Sequence, residues 1–279
     1  MKQLQTLFAA LSLLALLIAC ASAQDSTPSV TVNDQAVEDG SVSVESVVAE
    51  QDGFIVIHRA DVSGEAPLAP SSIGHASVSM GENSDVTVTL DESVSEGDTL
   101  FAMLHVDSNG NGVYEFGPGS TEVDTPVTVD SEVVVQPFTA ESVTGGSGAA
   151  GVITRQSAKS VEETQVQLTA AIDGIDALMV MTVVDHAANA ESAGLELRPT
   201  RVVIFGNPNL GTPLMQTAQT VAIDLPQKML IYEDEAGDVF VAYNSPFYLQ
   251  ERHGIEGQDD TLNTIANALN GLAKAATAE

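Results

Sequence analysis

The sequence predicts an N-terminal all-β, sandwich-like domain, then an α+β domain with a β-α-β4-α antiparallel sheet and helices on one face. Three observations carry this. Residues 25–138 hold Val-rich, alternating stretches separated by Gly, Asp, Asn, Ser and Pro. Residues 139–151, TAESVTGGSGAAG, show no apolar period and read as a flexible linker. From residue 152 helical spacing alternates with apolar runs of strand length. Short strands at close spacing suggest a sandwich, and mixed elements suggest a sheet covered by helices.

A targeting segment comes first. Lys2 precedes an apolar run from Leu7 to Ala19, broken only by Ser12. That is shorter than the roughly 20 residues a membrane-spanning helix needs. A basic start, a short apolar core and small residues make residues 1–23 a secretory signal. Ala21-Ser22-Ala23 fits a cut before Gln24. Leu17-Ile18-Ala19-Cys20 resembles the bacterial lipobox, in which the cysteine is lipidated. Cys20 is the chain's single cysteine, so the expectation is a lipoprotein signal cut before it. The mature protein would then be exported to the periplasm or cell surface and meet the membrane through its lipid alone. No disulfide could staple its domains.

In the first domain, strands are expected over Ser29–Val32, Ser41–Val48, Gly53–His58, Asp85–Leu90, Thr99–Val106 and Thr128–Val135. Val42 and Val44 against Ser41, Ser43 and Glu45 give one buried and one wet face. In the second (152–279), Gly151–Gln156 is a strand. Ser160–Ile172 has helical spacing, with Glu163 three after Ser160 as in a capping box. Leu178–Val184 reads as a buried, central strand and Ala187–Ala193 as a small-residue helix. Thr200–Phe205 is a strand and Pro213–Thr220 a short helix opening on proline. Gln227–Tyr232 and Asp238–Tyr243 form a hairpin. Pro246–Arg252 and Leu262–Lys274 are helical.

Apolar content of 44% excludes a disordered chain. The net charge is -30. Residues 24–150 carry 22 acidic and one basic residue (-21), residues 151–279 carry 17 and seven (-10), and Lys2 adds +1. Such a surface repels phosphates, which excludes nucleic acid as a partner, and it suits a salty, halophilic setting.

VVDHAANAESAGLELRPTRVVIFGNPNLGTPLM (Val183–Met215) and AIDLPQKMLIYED (Ala222–Asp234) resemble the family catalogued as domain of unknown function 302, over about residues 152–254. That resemblance implies a TATA-binding-protein-like sheet topology and a homodimer through this domain. It implies no DNA binding and no reaction. VTVNDQ, GFIVIH and TLFAMLHVDSNGNGVYEFG resemble a family of acidic extracellular β domains of haloarchaea and salt-adapted bacteria, also without an assigned function.

Two constellations could carry chemistry. Asp107, Asn109, Asn111, the Val113 carbonyl and Glu115 follow the opening of a calcium loop, D-x-[DN]-x-[DN]-G. Pro118 stands where an EF-hand needs its bidentate Glu, so the expectation is a weaker calcium site, or else a plain Asn/Gly turn. In the second domain Asp185 and His186 end an apolar run, Asn189 follows one turn on, and Asn207, Met215 and Asp224 follow other buried runs. These six are the candidate pocket for a small ligand, unless Asp185 merely caps a helix. His58, His75 and His105 show no metal-ligand spacing and read as ordinary polar residues. The expected protein binds a small ligand or metal and catalyses nothing. The alternatives are a hydrolase or redox-linked enzyme using Asp185 and His186, and a structural surface protein.

Overall fold

The computed structural model describes residues 27–144 and 149–278. Cys20 and the signal segment lie outside them. The β lobe comprises β1 (Ser29–Thr31), β2 (Gln35–Glu38), β3 (Ser41–Ala49), β4 (Gly53–Arg59), β5 (Gly74–Val78), β6 (Gly81–Thr89), β7 (Thr99–Val106), β8 (Thr128–Val129), β9 (Glu132–Val133) and β10 (Val135–Thr144). β3 lies between β1 and β6, and β4 lies between β5 and β7, all antiparallel. β10 joins the two groups. Its first half pairs antiparallel with β7 and its second half parallel with β2, across a register break between Ala140 and Ser142. Val42, Val44, Val47, Ile55, Ile57 and Leu104 meet between the layers as a buried core.

Two expectations are corrected here. Thr139–Thr144, read as linker, belongs to β10, because Ala140 is buried and Val143 packs against the core. Thr128–Val135 is a two-residue hairpin rather than one strand. Asp130 and Ser131 both take positive φ, the geometry of a type I′ turn.

β4 and β7 are buried on both faces. Phe54, Val56, His58, Phe101, Met103 and His105 point away from the sandwich core yet are inaccessible. Residues 107–127 help to cover this second face. Tyr114 packs edge-on against Phe54 and His105, and Phe116 against His105.

The α+β lobe comprises β11 (Val152–Ser157), α1 (Val161–Asp173), β12 (Met179–Asp185), α2 (His186–Ser192), β13 (Thr200–Gly206), α3 (Pro208–Thr217), a 3-10 turn (Gln219–Ile223), β14 (Gln227–Glu233), β15 (Val239–Asn244), α4 (Pro246–His253) and α5 (Asp259–Thr277). The antiparallel sheet runs β11-β15-β14-β13-β12. Val203, Phe205, Met229, Ile231 and Val241 point from it into a core shared with Leu168 and Ile172 of α1 and Leu262 and Leu269 of α5. The capping box forms as expected: Ser160 Oγ accepts from Glu163 N, and Ser160 N donates to Glu163 Oε2. β12 is a correction. It is an edge strand, with Met179 (55%) and Met181 (47%) exposed, because among the described residues β13 is its only strand neighbour. α3 also starts five residues earlier than expected, at Pro208, and keeps Pro213 inside.

The lobes are docked. Asn263, Asn267, Asn270 and Lys274 line one stripe of α5, at spacings of four, three and four. Val62 N donates to Asn263 Oδ1 (3.0 Å) and Ser71 N to Asn267 Oδ1 (3.3 Å). Lys274 Nζ donates to Ser72 Oγ (2.7 Å). Glu92 is buried between the lobes. Its Oε1 accepts from Tyr243 OH and Asn270 Nδ2, each at 3.0 Å, and Arg59 Nε lies 3.7 Å from its Oε2. At the edge of the sheet, Ser93 N donates to Thr154 O and Thr154 N to Ser93 Oγ, both at 2.9 Å. Removing one member of a buried charged cluster typically costs about 3–5 kcal/mol. Glu92→Ala is therefore expected to lower the urea midpoint of both lobes together, in one transition. Two separate transitions in the parent protein would sink this reading.

Candidate ligand-binding site

The six expected pocket residues fall at two ends of the sheet. Asp185 pairs with Arg201 at one end of β12, and Met179 pairs with Gly206 at the other. Those ends lie about 20 Å apart at roughly 3.3 Å per residue. At the first end Asp185 is the cap of α2. Its Oδ1 accepts from Ala188 N (2.9 Å) and its Oδ2 from Arg201 Nε (3.0 Å). The Ala188 amide first, and then Arg201, hold the Asp185 carboxyl below its ordinary range. His186 and Asn189 are exposed there. Both oxygens of Asp185 are thus engaged in ordering the corner.

At the other end the chain builds an apolar pocket of about 230 Å³, far above the ~10–15 Å³ that one water needs. Phe205 from β13, Leu210 and Met215 from α3, Leu225, and Ile265 and Leu269 from α5 form its walls. Met181 and Leu178 close one side. Asn207 stands at the rim, where its Oδ1 caps α3 by accepting from Asn209 N (2.9 Å). Two glycines line the walls, and a side chain at either would take up pocket space. A Cβ at Gly211 would meet Leu225 Cδ1 at 3.7 Å, and one at Gly206 would meet Met181 Cε at 3.5 Å. Asn207 and Met215 therefore belong to one site, whereas Asp185, His186 and Asn189 do not.

Asp224 sits beside the pocket with a different task. His253 Nε2 approaches its Oδ2 at 2.6 Å, Arg252 Nη1 approaches that oxygen at 3.4 Å, and His253 Nδ1 lies 3.0 Å from Thr220 Oγ1. This hydroxyl–imidazole–carboxylate chain ties the end of α4 to the 3-10 turn. Sequence reasoning missed His253, which stands 29 residues from its partner Asp224. The useful signal was Arg252-His253 just before Gly254, a helix end rich in donors.

The Asn/Gly loop closes on itself. Asp107 Oδ1 accepts from Gly110 N (2.8 Å) and Asn111 N (3.2 Å), and its Oδ2 from Gly112 N (2.8 Å). Asn109 Nδ2 and Asn111 Nδ2 both meet Glu115 Oε2, at 2.5 and 2.9 Å. Val113 is exposed. Asp124, fully buried, accepts from Ser108 N and Glu115 N and pins the loop to the lobe. Among the described residues no group of three or more His, Cys, Asp or Glu side chains could hold a metal, so calcium would have to draw on the Asn amide oxygens.

The molecule is thus a two-lobed acidic protein with an apolar pocket in its α+β lobe. Residues 153–272 match the family described as domain of unknown function DUF302, and residues 28–141 the family described as domain of unknown function DUF7282. The chain is 43% identical over 105 residues to fluoride-specific ion channel FluC 1 of Brucella suis biovar 1 (strain 1330), covering 38% of this chain and 41% of that one. It is 36% identical over 108 residues to cell surface glycoprotein 1 of Haloarcula hispanica, covering 39% of this chain and 11% of that one. The chain spans about two fifths of the length of the first curated relatives it matches. A crystal structure of an uncharacterized conserved DUF302 protein from Bacillus stearothermophilus superposes with a TM-score of 0.42 at 16% identity, over 46% of this chain and 99% of that one. Both resemblances read from the sequence are borne out.

Asp107 carries three amide hydrogen bonds, and bonds to a charged group contribute about 1.5–3 kcal/mol each. Asp107→Ala is expected to lower the melting temperature with or without calcium. Should the loop also take calcium, millimolar calcium raises the parent's melting temperature and leaves the variant's unchanged. An unchanged parent leaves only the turn.

Proposed function

We propose that this is an exported envelope protein, anchored by a lipid at Cys20, whose α+β lobe holds a small apolar ligand beneath α3 without transforming it. The observation that carries the reading is the pocket of about 230 Å³, walled by Phe205, Leu210, Met215, Leu225, Ile265 and Leu269. Apolar walls with a few polar groups at the rim are the usual make-up of a small-molecule site. Asn207 and Gln227 are the polar groups that would orient a ligand head. A cell-surface setting is supported by the similarity to a surface glycoprotein and by the acidic composition. Among the described residues no helix is long and apolar enough to cross a membrane. Channel activity belongs to the relatives that bear that name.

The ligand reading has a direct test. Gly211→Leu adds a side chain where the pocket wall is thin, so it is expected to abolish uptake of a fluorescent fatty-acid probe while melting stays within a few degrees. Equal uptake by both proteins would place the probe elsewhere.

The second part of the reading is self-association. Met179, Met181 and Val183 are exposed on β12, and an edge strand offers unpaired backbone groups to another strand. A second copy meeting β12 would cover both. Sedimentation of the chain is expected to give a dimer, with Met181→Lys giving a monomer. A monomeric parent at micromolar concentration removes this part.

A further inference from the structure

His58 and His105 lie side by side on the covered outer face of β4 and β7, and both are fully inaccessible. Their rings are nearly parallel, at 22°, with centroids 5.7 Å apart. His58 Nδ1 lies 2.6 Å from Ser71 O, and His105 Nδ1 lies 2.7 Å from Asp124 O. A carbonyl oxygen only accepts, so each Nδ1 carries the proton. Each Nε2 of the neutral ring is then a bare lone pair. Burial lowers His58 to about 3, helped by the neighbouring His105. Burial lowers His105 to about 4, against the Asp124 carbonyl and carboxylate, which favour the charged form. Both rings are thus neutral at neutral pH.

Neither Nε2 has a hydrogen-bond partner among the described residues. Two lone pairs cannot satisfy each other, because neither ring has a second proton to give. Leaving a buried acceptor unmet costs about 1–3 kcal/mol. A ring fixed by Nδ1–H donation to a backbone carbonyl, with Nε2 free, is also the arrangement in which histidines ligate metals.

We propose that His58 and His105 form a buried two-nitrogen site for a soft monovalent cation of the copper(I) class. The donor set selects the ion. Calcium and magnesium need six or more oxygens, and zinc sites are closed by four ligands. A monovalent d10 ion is content with two imidazole nitrogens and accepts a thioether as a third donor. Met103 stands on the same strand face, two residues before His105. Asp124 supplies buried negative charge beside His105, and Lys274, which faces His58, is the opposing charge. From outside, the exposed His75 packs on Tyr114 at 4.9 Å, and Tyr114 on His105 at 5.4 Å.

Silver(I) is the redox-stable probe. The full chain, with any free Cys20 thiol alkylated and its five histidines labelled with nitrogen-15, is titrated with silver nitrate in chloride-free buffer. One equivalent is expected to move the Nε2 resonances of two histidines, leave the other three, and raise the melting temperature. His58→Phe and His105→Phe, which keep ring volume, identify the two resonances. Circular dichroism shows whether each variant is folded. Silver taken up with all histidine signals unmoved would mean exposed methionines bind it, and the proposal fails. No uptake would fail it equally and leave a shared hydrogen-bond donor between the rings.

Discussion

The backbone groups of residues 62–72 need partners as the segment leaves β4, and α5 supplies them from its polar stripe. One face of this helix is apolar, with Leu262, Ile265, Leu269 and Leu272 in the core of the α+β lobe. Another carries Asn263, Asn267, Asn270 and Lys274, which bond Val62, Ala69, Ser71 and Ser72. The bond to Ser72 O is buried and those from Val62 N and Ser71 N are part-buried, so α5 bonds the backbone groups that it covers, as their burial requires. The docking of the lobes is therefore a hydrogen-bonding requirement of the β lobe as much as a hydrophobic one. Glu92 fits the same logic. Its carboxylate is tolerated between the lobes because Tyr243 and Asn270, both from the α+β lobe, donate to it.

The second covered face of the β lobe follows from composition. The chain has no tryptophan and only 4% aromatic residues, so single side chains rarely shield a strand pair. Loop 107–127 does this for β4 and β7, and carboxylates organise it from within. Asp107 gathers the amides of its Gly turn, while Asp124 takes those of Ser108 and Glu115. Gly110 and Gly112 sit at φ +68° and +70°, which lets the loop reverse twice in a few residues. The residues that resemble a calcium loop thus also organise the cover. Beneath that cover lies the histidine pair.

Much of the fold was legible because alternation and capping are local. β3, β4, β7 and α1 stand close to their expected bounds, and Ser160 with Glu163 marked a helix start. The misreadings share a cause: the chain's neighbours, not its own pattern, decided the outcome. Met179–Asp185 is as apolar as a central strand, yet sheet order puts it at the edge. Thr139–Thr144 looks like linker, yet β2 pairs with it. β5 has the weak pattern Gly-His-Ala-Ser-Val and forms because β4 offers an edge. Leu262–Lys274 was legible only as a helix; its Asn263, Asn267, Asn270 and Lys274 stripe at i, i+4, i+7, i+11 gains its meaning from the β-lobe backbone it meets.

The candidate site was half legible for a related reason. Polar residues after apolar runs mark strand ends, and a sheet has two sets of ends. In an antiparallel sheet successive strands deliver their ends to opposite rims, so Asp185 after β12 and Asn207 after β13 had to separate. The rim holding Asp185 carries Glu162, Glu191, Glu196 and Glu233 around Arg201, with Arg198 bonded to the Glu233 carbonyl, and it is open to solvent. The rim holding Asn207 receives α3, with Gly211 thinning its inner face and Pro213 interrupting its hydrogen-bond ladder. Only there does α5 pass close enough for Ile265 and Leu269 to form a floor. The same helix that secures the β lobe thus also completes the pocket, through different faces.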